Sequence, residues 1–244
     1  MARPITHCLF DLDGLLLDTE PFYTEASSRV AAEFGKEYTF EMKSKCMGLP
    51  ALEGGRLLLD LLGGLDGMSV EEFNERRFKI QYELFPTSKP LPGIERLLSL
   101  LHKSGVPIAI ATSSHKKGFE LKTSHLPDLF GLFNGNFVLG DDPAVKKGKP
   151  NPDIFLEAAR RIGVPPEETA CCLVFEDAPN GVRAGLAAGM RVCWIPDPRI
   201  DKAAFLDSLS EQEKARVTIL SSMEEFQPQA FGLAVLQPAV LKEG

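Results

Sequence analysis

The chain predicts a doubly wound α/β fold with a parallel sheet, into which a smaller helical segment is inserted. Three observations carry this. Apolar runs of strand length alternate with amphipathic stretches of helical period through residues 1–17 and 89–244. Several of those runs end on carboxylates or a hydroxyl, as strands do at a ligand-binding edge. Between residues 18 and 88 the pattern is wholly helical, with no strand signal.

The first apolar run begins near Ile5, includes Cys8-Leu9-Phe10, and reads as a buried strand. It stops at Asp11 and Asp13, followed by Gly14. Phe22, Ala26, Val30 and Phe34 then recur every fourth residue, and Gly35 fits the position past a helix end. A second helix starts near Pro50, striped by Leu57, Leu58, Leu61 and Leu62 and ended by Gly63-Gly64. Ser69 with Glu72 fits a capping box opening a third helix through Phe73, Ile80 and Leu84. Pro86 to Pro92 is the linker back.

The core pattern resumes with a helix on Ile94, Leu97, Leu98 and Leu101, closed by Gly105. Val106 to Thr112 is a strand, and Phe137-Val138-Leu139 is another, running into Gly140-Asp141-Asp142. A polar loop from Lys146 to Pro152 leads to a helix on Ile154, Phe155, Ala158, Ala159 and Ile162. Cys171 to Phe175 is a strand ending in Glu176-Asp177. Pro179 starts a helix ended by Gly189, and Arg191 to Ile195 is one more strand. Val217 to Leu220 suggests a short edge strand, Ser222 with Glu225 caps a short helix, and residues beyond Leu233 read as a loose tail.

Composition narrows the function. A net charge of -7 and a pI of about 5.3 argue against a nucleic-acid partner, and no basic patch with interleaved aromatics occurs. No apolar run approaches the roughly 20 residues of a membrane span. With only Arg3 ahead of the first strand, no signal or transit peptide is expected. Cys8, Cys46, Cys171, Cys172 and Cys193 show no CxxC and no metal spacing, so reduced thiols in a cytoplasmic protein are expected. A monomer with a small-molecule substrate is the expected state.

In a parallel sheet the strand C-terminal ends gather at one edge. That geometry draws Asp11, Asp13, Thr112, Lys149, Glu176 and Asp177 towards one site. Two carboxylates at i and i+2 with a following glycine can share a hard cation and leave an oxygen free as a nucleophile. An Asp-Gly turn alone explains that motif equally well; the other strand ends tip the balance. Phosphoryl chemistry needs each residue type present: a carboxylate nucleophile, a second carboxylate as acid and base, oxygen ligands for Mg2+, and a hydroxyl and a lysine for the phosphate.

Asp11-Leu12-Asp13-Gly14, Thr112, Gly148-Lys149-Pro150-Asn151-Pro152-Asp153 and Glu176-Asp177 resemble, in order, the four motifs of the haloacid dehalogenase hydrolase superfamily. The resemblance implies Asp11 as nucleophile and Asp13 as general acid/base, with its backbone carbonyl on Mg2+. It implies phosphate binding by Thr112, the Ser113 backbone and Lys149. Asp177 would be a metal ligand with Glu176 beside it, and the helical insertion would be the family's cap, which excludes water. Asp13 is absent from the superfamily's true dehalogenases, so dehalogenation is not expected. Its sugar phosphomutases carry a histidine where Tyr23 stands and need a basic cap residue; Met47 to Ala51 supplies none, so hydrolysis is expected.

Within the superfamily, Phe10 to Glu20, Leu139 to Pro143 and Leu173 to Gly181, with Phe226-Gln227-Pro228 and Phe231-Gly232-Leu233, resemble the eukaryotic pseudouridine-5'-phosphatases and plant glycerol-phosphate phosphatases. The resemblance implies pseudouridine 5'-phosphate as substrate, with glycerol phosphate, FMN or a sugar phosphate as alternatives. A catalytically idle binding protein of the same fold is the reading from another class. Relatives often carry a basic pair where Leu49-Pro50 stands, in the loop that the resemblance places towards the substrate. Tyr23, Met47, Leu49 and Glu53 are the expected specificity residues, with His115 at the site mouth.

Overall fold

The computed structural model describes residues 3–47, 49 and 51–235. Six parallel strands form one sheet in the order β3-β2-β1-β4-β5-β6. These are β1 (His7–Phe10), β2 (Ile108–Ala111), β3 (Phe137–Val138), β4 (Cys172–Glu176), β5 (Arg191–Trp194) and β6 (Val217–Ile219). The central strand β1 pairs with β2 on one side and β4 on the other, so Phe10 lies opposite both Ile110 and Phe175. The chain's winding reverses at β1, which opens a crevice beyond its C-terminal end.

Strands buried on both faces explain the continuous apolar runs. Side chains alternate across the sheet: Phe10, Ile110 and Phe175 join one core with Leu97, Leu101 and Phe133. Leu9, Val174, Phe155 and Trp194 join the other. The first core is built on an aromatic stack, with the Phe10 and Phe175 rings 4.5 Å apart and 2° from parallel. Phe133 meets Phe10 edge-on at 6.0 Å. The flanking helices are α5 (Ile94–Lys103), α6 (Lys116–Thr123), α7 (Pro127–Gly131), α8 (Asp153–Arg161), α9 (Pro179–Ala187), α10 (Lys202–Asp207) and α11 (Glu211–Lys214).

Among the described residues four α-helices precede α5: α1 (Glu20–Glu33), α2 (Phe40–Cys46), α3 (Ala51–Leu61) and α4 (Val70–Leu84). They bury a separate apolar cluster of Val30, Ala31, Leu58, Leu59, Leu62, Leu65 and Phe73. A Cβ on Gly55 would fall 2.2 Å from Asn74 Oδ1, so the missing side chain is what lets α3 and α4 close together. The two backbone crossings into and out of this segment run side by side. Asp18 N–H donates to Lys89 O at 2.9 Å, and Leu17 bridges Pro90.

Several elements differ from the sequence expectation. Helix α2, capped by Thr39, was not expected, because its seven residues are too short for a periodic signal. Ser69 Oγ accepts from Glu72 N–H at 3.1 Å, but the Glu72 carboxylate turns to Arg76 instead of completing a capping box. Ser222 caps through Glu224, and the segment is one 3-10 turn, Met223–Glu225. Of the expected loose tail beyond Leu233, Val235 is partly buried against the core, and the rest, from residue 236 onward, lies outside the described residues. Among the described residues no helix is long and apolar enough to cross a membrane.

Phe10→Ala should cost about 3–5 kcal/mol of stability, the usual penalty for emptying a packed aromatic site. The midpoint of urea unfolding, at constant slope, measures it.

Candidate active site

The site begins where β1 ends. Asp11 N–H still bonds to Phe175 O at 3.0 Å, and the chain then turns sharply at Gly14. Gly14 holds φ +74°, and a Cβ there would lie 2.4 Å from Asp177 Oδ2. Glycine is therefore required twice over, for the turn and for the approach of the loop to β4. Thr112 follows β2, its hydroxyl accepting from Ser114 N–H at 3.1 Å. A Cβ on Gly140 would fall 2.2 Å from Ser113 O, so that glycine admits the Ser113 backbone.

Asp11, Glu176 and Asp177 are all buried, with carboxylate oxygens within 4.8 Å of one another. Lys149 Nζ reaches among them, 2.5 Å from Asp11 Oδ1, 2.7 Å from Glu176 Oε1 and 3.0 Å from Ala111 O. Glu176 is held from behind by the N–H groups of Asp177 and Ala178, at 3.0 and 3.1 Å. Its carboxylate fills the space where a Gly181 side chain would stand, with Oε1 1.7 Å from the ideal Cβ position. The Asp177 carbonyl accepts from Trp194 Nε1 at 2.8 Å.

One ammonium does not neutralise three carboxylates. Burial, with Glu176 and Asp13 adding repulsion, pushes Asp11 up to about 7 although Lys149 works against it. Burial, then the charges of Glu176, Glu20 and Asp11, raises Asp177 well above the usual carboxylate range. A buried, oxygen-only donor set with uncompensated negative charge fits a hard divalent cation.

Asp13 stands in a different environment. Lys122 Nζ lies 2.6 and 2.7 Å from its two oxygens, Thr19 donates to Oδ1 at 2.7 Å, and Ser114 donates to Oδ2 at 2.8 Å. Burial disfavours the charge, yet Lys122 and the two hydroxyls hold Asp13 below the ordinary carboxylate value. Lys122 is fully buried, with its ammonium 2.7 Å from Tyr23 Oη on α1 and 4.5 Å from the centre of the Phe85 ring.

A cavity of about 170 Å³ lies between these strand ends and the helices α1–α4. Asp11, Asp13, Thr112, Ser113, Lys149, Glu176 and Asp177 all border it, as do Tyr23, Met47, Leu49 and His115. Glu53 does not; it is exposed on α3. It sits two residues from buried Gly55 and therefore points to nearly the opposite side of the helix. His115 caps α6 by accepting Gly118 N–H on Nδ1, which leaves Nε2 to donate to Tyr82 Oη at 3.1 Å. Asn180 Nδ2 donates to Met47 O at 2.8 Å.

Sequence reasoning missed Thr19, Ser114 and Lys122. Ser114 lay beside a chosen residue, and Lys122 stands three residues after buried Phe119, a helical spacing that could have marked it. The loop from Met47 to Ala51 holds no basic residue, as its sequence reads, but Lys43 and Arg77 border the cavity. Both come from helices, α2 and α4, and not from the loop at Met47 to Ala51. Lys43 is paired with Glu20 at 2.9 Å.

A family profile of haloacid dehalogenase-like hydrolases matches residues 5–189. The chain is 45% identical over 229 residues to (DL)-glycerol-3-phosphatase 2 of Arabidopsis thaliana, covering 94% of this chain and 92% of that one. It is 44% identical over 234 residues to a Drosophila melanogaster protein named probable pseudouridine-5'-phosphatase, covering 96% of each. A haloacid dehalogenase family hydrolase of Deinococcus radiodurans R1, crystallised with bound phosphate and sodium, superposes with a TM-score of 0.69. It is 27% identical, covering 91% of this chain and 93% of that one. The parallel sheet, the strand-end carboxylates and these matches together place the chain in the haloacid dehalogenase-like hydrolase family.

Proposed function

We propose that the protein is a Mg2+-dependent phosphatase of a small phosphorylated metabolite and works through an aspartyl-phosphate. The observation that carries the reading is the buried Asp11–Glu176–Asp177 trio crossed by Lys149, with Asp13 and its partner Lys122 beside it. An Asp11 carboxylate oxygen attacks phosphorus, and the bond from phosphorus to the leaving oxygen breaks. Asp13, in its protonated form, gives that oxygen its proton and releases the alcohol. Water then attacks the aspartyl-phosphate, Asp13 takes its proton, and cleavage of the phosphorus–Asp11 bond releases inorganic phosphate. Lys122 favours the ionised Asp13, the base of this second step.

Thr112, the Ser113 backbone and Lys149 bind the phosphate oxygens in this reading. Asp11, the Asp13 backbone carbonyl and Asp177 would hold Mg2+, with Glu176 fixing Lys149 and the loop behind it. The cation offsets the charge of phosphate and nucleophile when bound. Residues 18–88 act as a cap on a core of 1–17 and 89–244, supported by the adjacent backbone crossings at Asp18 and Lys89. Tyr23, Met47, Leu49 and His115 face the leaving group. Pseudouridine 5'-phosphate is the first candidate substrate and glycerol phosphate the second, since relatives bearing both names are about equally similar. Five free cysteines suit a reducing compartment such as the cytoplasm.

Phosphate release should be measured from pseudouridine 5'-phosphate, uridine 5'-phosphate, glycerol phosphate, FMN and hexose phosphates. Release should require Mg2+ and stop in EDTA; release that persists in EDTA would remove the metal from the reading. Asp11→Asn should lower turnover by at least about 10³-fold while circular dichroism stays unchanged, and a variant that still turns over would dismiss Asp11 as nucleophile. Lys122→Met removes the charge that keeps Asp13 ionised, so the Asp13 pKa rises. The acid limb of the pH–rate profile should move to higher pH, and kcat should fall at least about tenfold.

A further inference from the structure

The cavity has a second polar wall, on α4, that the mechanism leaves unused. Gln81 is 1% exposed and borders the cavity. Its amide nitrogen meets no acceptor among the described residues. Such a donor is rare in a folded protein, because it has given up its hydration and gained nothing in return. One helical turn earlier, on the same face, Arg77 borders the same cavity.

Arg77 carries a charge that no carboxylate neutralises among the described residues. Its Nε donates to Ser27 Oγ at 3.1 Å and a terminal nitrogen donates to Asn74 Oδ1 at 3.2 Å, both uncharged acceptors. Neighbouring Arg76 is paired with Glu33 and Glu72. Arg77 has no carboxylate partner among the described residues and is surrounded instead by Tyr38, Cys46 and Tyr23. A guanidinium and an amide nitrogen offer donors only. The wall, on α4 and not on the strand ends, therefore calls for acceptor oxygens.

We propose that Arg77 and Gln81 form a distal subsite that donates hydrogen bonds to oxygens on the leaving group of the substrate. The subsite rests on the phosphatase reading and narrows it. The substrate class is a phosphomonoester whose alcohol half carries carbonyl, carboxylate or hydroxyl oxygens within reach of α4. An ester without them leaves the buried donors unpaired, the strongest discrimination a binding site can exert.

The test compares kcat/KM of wild type, Gln81→Leu and Arg77→Met on pseudouridine 5'-phosphate, glycerol 3-phosphate and phenyl phosphate, whose leaving group has no distal oxygen. In both variants the preference for the better oxygen-bearing ester over phenyl phosphate should fall at least about tenfold. Gln81→Leu removes a stranded donor and should also melt at a higher temperature than wild type. A larger loss on pseudouridine 5'-phosphate assigns the donors to ring carbonyls; a larger loss on glycerol 3-phosphate assigns them to hydroxyls. Should Arg77→Met fail to fold, Gln81→Leu decides alone. An unchanged preference in Gln81→Leu overturns the subsite, even if all rates fall together. Wild-type protein that releases phosphate from none of the three esters overturns the phosphatase reading, and the subsite with it.

Discussion

The ammonium of Lys149 makes the rest of the structure possible. Three carboxylates on adjacent strand ends, all buried, would repel one another and sacrifice their hydration, which folding tolerates only if charge is returned to them. Lys149 returns part of it, through short contacts to Asp11 and Glu176, and its own burial is tolerable only because those contacts exist. Glu176 in turn needs the N–H groups after it and the absence of a side chain at Gly181. The compensation is incomplete, and what is left over is negative charge that a cation could meet.

Asp13 shows the same physics with the opposite sign. It lies two residues from Asp11 but meets Lys122 and two hydroxyls instead of two further carboxylates. Environment alone thus separates the two carboxylates: Asp11 is pushed up and Asp13 is held down. Two titratable groups driven apart in this way can take distinct chemical parts within one small volume.

Much of this was legible in the sequence because a parallel sheet concentrates its chemistry at strand ends. Asp11, Thr112 and Glu176 each follow an apolar run directly, and Lys149 lies in a Gly-Lys-Pro context that needs no tertiary information. Lys122 was not legible, because its burial is created by the packing of α6 against Tyr23 on α1 and Phe85 just after α4. Arg77 and Gln81 were hidden for the same reason: α4 is polar along most of its length, and only its placement over the sheet edge gives two of its polar residues a shared surroundings. Glu53 failed in the other direction. Its neighbourhood in the chain was right, and the helical rotation set by Gly55 turned it outward.

Lys122 has one further consequence. Its nitrogen is shared between Asp13, at a strand end, and Tyr23, on the first of the preceding helices. Any swing of that helix away from the sheet withdraws a hydroxyl from the ammonium, and the grip on Asp13 alters with it. Access to the cavity and the surroundings of Asp13 are therefore mechanically coupled.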